Sequence, residues 1–404
     1  IQLVDVHNRD QGKFQEGKFD TLPIAGSTLI STIDIDLQTY GEELMQNKIG
    51  AIVAIEPSTG EILSLVSAPT YNPNLLIGRK RSDNYKILSE DENKPLFNRA
   101  LQGTYPPGST FKLINGLIAL QEKSVTKNKL FGCDGDNGYS YGRDRHVGCH
   151  PHQNPIELEK GVEISCNSYF CHLYDSYFNQ FESTISAYDN WHNHVASFGI
   201  GNYMNNDFTT GSPGKLPKSS YFEKLYRGSW NANTIISMAI GQGELLLTPI
   251  QMANMTAIIA NRGFYYTPHI IKEISEQESI DTNFTKKKYC SIEQKYFTPI
   301  INGMQKVIEG KDGTAQNSKI PDLEICGKTG TAQNPHGEDH SIFIAFAPKD
   351  TPKIAIAVYV ENGGFGSTWA APIASLMIDK YLNKSINNTN LEEFILNGNL
   401  ISEK

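Results

Sequence analysis

Ser341-Ile342-Phe343-Ile344-Ala345-Phe346-Ala347, a turn at Asp350-Thr351-Pro352, and Lys353-Ile354-Ala355-Ile356-Ala357-Val358-Tyr359-Val360 decide the fold class. The two apolar runs read as strands joined by a turn. A second pair stands near the start of the chain. Residues 50–55 (Gly-Ala-Ile-Val-Ala-Ile) are a buried strand, Glu56-Pro57-Ser58-Thr59-Gly60 is a turn, and residues 61–67 are its partner, which together predict a β-hairpin. Between the two pairs, helical spacing appears over 104–121, 155–175, 248–262 and 293–309, and a last helix is expected over 371–381. Hairpin, then helices, then strands and a final helix predict an α+β fold with helices packed on an antiparallel sheet.

Working outward, residues 28–33 alternate with β-branched side chains and predict a strand, as does 264–274. Residues 34–47 predict a helix with Asp36 as its N-cap. The helix ending at 121 repeats Phe111, Leu113, Ile114, Leu117, Ile118 and Leu120; a helix apolar nearly all round belongs in the middle of a core. Thr248-Pro249 opens the helix of 248–262. Residues 71–98 and 202–231 read as irregular chain, and 131–154 is a Gly-, Cys-, His- and Asp-rich stretch without a period.

Composition excludes several classes. With 19 Tyr, 18 Phe and only 20% charged residues, the chain is not disordered. A formal charge of −8 argues against a general nucleic-acid binder. Six cysteines among 404 residues are too few for a disulfide scaffold. No run reaches the roughly 18–20 apolar residues of a membrane helix. The chain opens on Ile1 without a signal-peptide pattern. That leaves a cytosolic protein or the excised soluble part of something larger.

Three short strings carry chemistry. In Ser109-Thr110-Phe111-Lys112, Pro106-Pro107-Gly108 sets a tight entrance to a helix and places Ser109 near its N-terminus. Lys112, three residues on, shares its face. A serine needs a base to become a nucleophile, and a lysine serves once burial or a neighbouring cation lowers its pKa. In Ser165-Cys166-Asn167, Ser165 could relay a proton and Asn167 could hold a substrate amide. In Lys328-Thr329-Gly330-Thr331, Lys328 supplies charge, Thr329 and Thr331 suit a carboxylate, and Gly330 permits close approach. The N–H groups of Ser109 and Thr331 could form an oxyanion hole. Each string alone is weak. In this order they match the S-x-x-K, S-D-N and K-T-G set of penicillin-binding proteins and β-lactamases, except that Cys166 replaces the middle Asp.

The likeness extends beyond the motifs. Gly103-Thr104-Tyr105-Pro106-Pro107-Gly108-Ser109-Thr110-Phe111-Lys112 resembles the nucleophile segment of class B penicillin-binding proteins. Asp34-Ile35-Asp36-Leu37-Gln38, the stretch 50–74, Pro95-Leu96-Phe97-Asn98-Arg99-Ala100 and Gly327-Lys328-Thr329-Gly330-Thr331-Ala332-Gln333 are similar to further segments of that family. The spelling around Ser109 looks most like the elongation type, penicillin-binding protein 2, with the division type as the alternative. The resemblance implies a central antiparallel sheet with helices on both sides plus an all-helical subdomain. It implies a transpeptidase domain over 28–404, with 1–27 a linker or the remnant of a preceding non-catalytic domain. It implies a D,D-transpeptidase acting on a peptidoglycan stem peptide ending in D-Ala-D-Ala, with an amine as acceptor. Ser109 would be the acylated nucleophile, Lys112 its base and Ser165 the proton shuttle. Asn167, Lys328, Thr329, Gly330 and Thr331 would bind substrate, and β-lactams would acylate Ser109. A serine β-lactamase and a penicillin-sensor domain share much of this apparatus.

The implied partners are a SEDS-family glycosyltransferase and the elongation complex, with no nucleic acid. The implied location is the periplasmic face of the bacterial inner membrane, with the anchor lying outside this stretch. No cofactor is required for the reaction. Some elongation-type relatives carry zinc near residues 131–154, so Cys133, His146, Cys149, His150 and His152 are candidate ligands. A Cys133–Cys149 disulfide is the competing expectation. Cys166 is expected to be a small packed side chain, and Cys171, Cys290 and Cys326 to be core residues.

Overall fold

The computed structural model describes residues 1–21, 25–142, 144–275 and 279–401. Residues 22–24 of the expected leader and 402–404 at the end of the expected catalytic domain lie outside them. A five-stranded antiparallel sheet forms the centre. Its strands are β1 (Gly50–Ile55), β2 (Ile62–Ala68), β3 (Cys326–Ala332), β4 (His340–Ala347) and β5 (Ile354–Val360), in the order β3-β4-β5-β1-β2. The two strand pairs of the sequence are therefore neighbours, joined where β5 pairs with β1, Val358 opposite Ile52. All six residues of β1 and all seven of β5 are buried, as continuous apolar runs in a sheet covered on both faces should be.

Helices supply the cover. The helices Ile35–Leu44 and Ala370–Asn383 pack on one face, and Pro249–Ala260 and Phe297–Glu309 on the other. A helical region beside the sheet holds Lys112–Gln121, Asn167–Phe178 and Thr184–Ala196. Every residue of Lys112–Gln121 except the last is buried, so this helix is the axis of that region. Both features match the expected α+β architecture. Among the described residues, no helix is long and apolar enough to cross a membrane.

Several local expectations are corrected. Asp34, not Asp36, caps the first helix: its carboxylate accepts from the Leu37 N–H at 3.1 Å, the reach an N-cap requires. The 28–33 strand is shorter, Leu29–Ser31, and pairs outside the central sheet with Ile271–Ile274. The single strand expected over 264–274 is two, Phe264–Tyr265 and Ile271–Ile274, in separate two-stranded sheets. The stretch 71–98 contains the helix Arg81–Glu90, which buries no residue and so carries no apolar period. The loop 202–231 contains Ser219–Leu225, whose single buried residue is Phe222. Helical spacing over 155–175 is interrupted between Leu158–Glu163 and Asn167–Phe178 by Ser165, at φ 58°. That is a left-handed conformation, costly for a side-chain-bearing residue.

Candidate active site

The segment that carries Ser109 enters the core as a single turn of 3-10 helix, Gly108–Phe111, and becomes α-helical only at Lys112. In a 3-10 turn residues i and i+3 eclipse, so Ser109 and Lys112 stack more directly than on the continuous helix expected over 104–121. The turn is pressed between two glycine contacts. Gly108, at φ 55°, lies so close to β3 that a Cβ there would stand 2.7 Å from the Thr331 carbonyl oxygen. Its N–H donates to the Gly241 carbonyl at 2.9 Å. Gly241 ends the 3-10 helix Ala232–Ile240 in a left-handed conformation. Buried Asn115 ties that helix to Lys112–Gln121, donating to the carbonyls of Met238 and Ala239 at 3.1 and 3.0 Å.

Lys112 is fully buried. Its Nζ donates to Asn167 Oδ1 at 2.6 Å, to the Ser165 carbonyl at 2.8 Å and to Ser165 Oγ at 3.3 Å. The break at Ser165 makes this convergence: it turns the chain so that a carbonyl, a hydroxyl and the Asn167 amide face one ammonium. Burial, chiefly, draws Lys112 down to about 8. Lys328 is also fully buried, its Nζ on the Thr329 carbonyl at 3.1 Å. Burial first, and the charge of Lys112 second, hold it well below the ordinary lysine range.

A cavity of about 450 Å³ brings Ser109, Ser165, Asn167, Thr329, Gly330 and Thr331 together. β3 is an edge strand of the sheet, and Gln242 Nε2 donates to the outward Thr331 carbonyl at 3.2 Å. In an antiparallel strand a residue's N–H and C=O point the same way, so the Thr331 N–H also faces the cavity beside Ser109. Gly330 keeps the wall flat, since a Cβ there would meet Thr110 and Ile342 at 3.1 Å. The three sequence motifs thus meet at one site. Thr314, Gln242, Asp339 and Phe365 also line it and went unread in the sequence. They lie on separate loops with no motif spacing. Thr314, 15 residues before Thr329, is adjacent to it only through the fold.

The cysteine and histidine stretch is corrected in its membership. Cys133, Cys149, His152 and Cys166 bring their donor atoms within 4.8 Å of one another. His146 is instead an exposed residue of the short strand His146–Val147, and His150 lines the catalytic cavity. Cys166 is buried, as expected, yet its sulfur belongs to the cluster. The expected Cys133–Cys149 disulfide is absent: both thiols are free. Tetrahedral zinc with Zn–S near ~2.3 Å sets thiolates roughly 3.8 Å apart, and Cys149 Sγ lies 3.8 Å from Cys166 Sγ. Three thiols and one imidazole in this arrangement fit zinc. The shared proton between Cys149 and Cys166 lowers the first thiol and raises the second. The cluster touches the site directly: the Asn167 N–H donates to Cys149 Sγ at 3.3 Å, and Asn167 Nδ2 to the Gly148 carbonyl at 2.7 Å. Cys171, Cys290 and Cys326 are buried core residues.

Residues 50–379 match the family model for the penicillin-binding protein transpeptidase domain. The chain belongs to this family. Peptidoglycan D,D-transpeptidase MrdA of Haemophilus influenzae is 31% identical over 413 residues, covering 96% of this chain and 60% of the relative. The chain therefore spans less than two thirds of the length of that relative. Among solved structures, Pseudomonas aeruginosa PBP2 in complex with WCK 5153 is similar at a TM-score of 0.79 and 34% identity, over 89% of this chain and 80% of that one. The penicillin G acyl-enzyme complex of penicillin-binding protein A from M. tuberculosis is similar at 0.73 and 27% identity, over 90% and 82%.

Proposed function

We propose that this chain is the catalytic domain, over 28–404, of an elongation-type peptidoglycan D,D-transpeptidase, with 1–27 a linker from a preceding region. The observation that carries the reading is the buried Lys112. It sits one 3-10 turn from Ser109 and holds Ser165 and Asn167, which face the carboxylate-suited edge of β3 across one cavity. The names of the relatives support the substrate class.

With Lys112 drawn down to about 8, a usable fraction of the amine is neutral near neutral pH. A neutral amine keeps two donors for the Ser165 carbonyl and Asn167 Oδ1 and frees a lone pair. That lone pair takes the Ser109 proton as Oγ attacks the carbonyl carbon of the penultimate D-Ala. The carbonyl π pair moves onto oxygen, where the N–H groups of Ser109 and Thr331 receive it. Collapse breaks the C–N bond. The departing amine takes a proton from the Ser165 hydroxyl, which is refilled from the Lys112 ammonium. D-Ala leaves and an ester remains on Ser109. The acceptor amine then attacks the ester, and the same groups return the proton to Ser109 Oγ. Thr329 and Thr331 hold the donor's terminal carboxylate, and the bound anion in turn favours the charged form of Lys328. Gly330 lets the peptide lie against the β3 edge. A β-lactam follows the first half, its ring opening instead of releasing an amine.

Cys133, Cys149, His152 and Cys166 would hold a zinc ion whose contribution is structural cross-linking. The chain's own residues carry that order to the site through the Gly148 and Cys149 contacts to Asn167. The reading places the domain at the periplasmic face of the inner membrane, with a SEDS-family glycosyltransferase and the elongation complex as partners. The test is release of D-Ala from a stem peptide ending in D-Ala-D-Ala, with and without an acceptor amine. The reading expects D-Ala release, amine-dependent cross-linked product, and loss of both in Ser109→Ala. Rapid hydrolytic turnover of a cephalosporin instead would make the chain a β-lactamase.

A further inference from the structure

Thr329 Oγ1 has one hydrogen-bond partner among the described residues, and it is Thr314 Oγ1, at 2.7 Å. Thr314 comes from the loop after Phe297–Glu309, a part of the chain that none of the three motifs includes. The loop is held firmly. The Ala315 N–H donates to the Val307 carbonyl at 3.0 Å, and Gly313 N–H to Gly310 at 3.1 Å. The Asp312 N–H donates to buried Glu163 at 3.2 Å. Gly313 sits so tightly that a Cβ would meet the carbonyls of Lys306 and Val307 at 2.4 Å. Ala315, the next residue after Thr314, is wholly buried. The Thr314 hydroxyl is thus presented to the cavity by a fixed backbone and lines it beside Thr329.

A hydroxyl has one proton to give and two lone pairs. A carboxylate only accepts. When Thr329 binds a carboxylate its single proton must point at the ligand, so any bond with Thr314 must then run from Thr314 to Thr329. We propose that Thr314 is a positioning residue for carboxylate recognition: it donates to Thr329 Oγ1 and thereby locks the Thr329 proton toward the substrate's terminal carboxylate. Such donation also polarises the Thr329 O–H, strengthening a bond to an anion. Without it, the Thr329 hydroxyl rotates freely, and each binding event must fix that rotor. The inference rests on Thr329 receiving the carboxylate, as proposed above.

The test compares acylation rates of the whole chain by a cephalosporin with a free ring carboxylate and by its methyl ester. Thr314→Val keeps the shape and removes the hydroxyl; Thr314→Ser restores it. Thr314→Val is expected to lose about tenfold with the free acid and under about threefold with the ester, and Thr314→Ser to recover the free-acid rate. Equal losses on both probes, or no loss on either, overturn the inference. Should the unsubstituted chain fail to prefer the acid over the ester, carboxylate binding at Thr329 fails and takes the inference with it. A melting curve of Thr314→Val matching that of the parent chain separates these results from misfolding.

Discussion

Among the described residues, Lys112 meets no carboxylate. Its Nζ faces a carbonyl, a hydroxyl and an amide oxygen inside the core, and the face of Phe170 at 5.7 Å. Neutral dipoles orient an ammonium without neutralising it, so burial prevails and the pKa falls. The sign of the pH dependence follows. In the proposed mechanism the base is the neutral amine, and its fraction grows as pH rises through the lowered pKa. Acylation by a β-lactam is expected to rise with pH through about 8 and to level off above it. Lys112→Arg keeps the charge, cannot act as a base, and should lose about 10²–10⁴-fold at every pH. A stopped-flow profile that is flat from acid to alkaline pH would contradict the assignment. Ser109 and Lys112 were legible only once the three motifs were read together, since the S-x-x-K spacing alone is weak. The acceptors that tune Lys112 were only partly so, because a carbonyl oxygen at Ser165 leaves no mark in the sequence.

Among the elements, the loop 133–152 and the start of Asn167–Phe178 form one unit through four donor atoms. Cys166 both joins that cluster and caps the helix, accepting from the Tyr169 N–H at 3.3 Å. Elemental analysis of protein purified without chelator is expected to show zinc, and Cys166→Ser to lose it. Chelation should lower the melting temperature and slow acylation by loosening Asn167. Metal-free protein with an unchanged melting temperature would remove zinc from the account. The sequence pointed to the right stretch and to His152 within it, but also to His146 and His150, and it left Cys166 out. His146, His150 and His152 are equivalent by composition, and only the turn of the chain after Gly148 sends His150 to the cavity and His152 to the thiols. The same limit explains Arg81–Glu90: a helix that buries nothing has no period to read. The two strand pairs of the sheet were legible because they are largely apolar; β3, which carries Lys328-Thr329-Gly330-Thr331, has no such run. The break at Ser165 was not, since a serine forced to positive φ by its surroundings looks like any other serine.

At the scale of the molecule, the sheet and the helical region converge on one cavity. The sheet contributes the edge of β3, and the helical region contributes Ser109, Lys112, Ser165 and Asn167. The C-terminal helix Thr389–Asn397 is tied back by buried Lys48, which donates to the carbonyls of Ile395 and Gly398 at 2.7 and 3.2 Å. Trp369 stacks on Phe394 at 5.1 Å beneath this tie, two residues from cavity-lining Ser367. The net charge and the low cysteine count fit a catalytic domain of this family as readily as they exclude a nucleic-acid binder or a disulfide scaffold. The central claim is that this assembly exists to acylate Ser109. Mass spectrometry after incubation with penicillin G tests it most directly. The account predicts one covalent adduct per chain, on the peptide carrying Ser109, absent from Ser109→Ala. An adduct that persists in Ser109→Ala, or that maps to another residue, would contradict it.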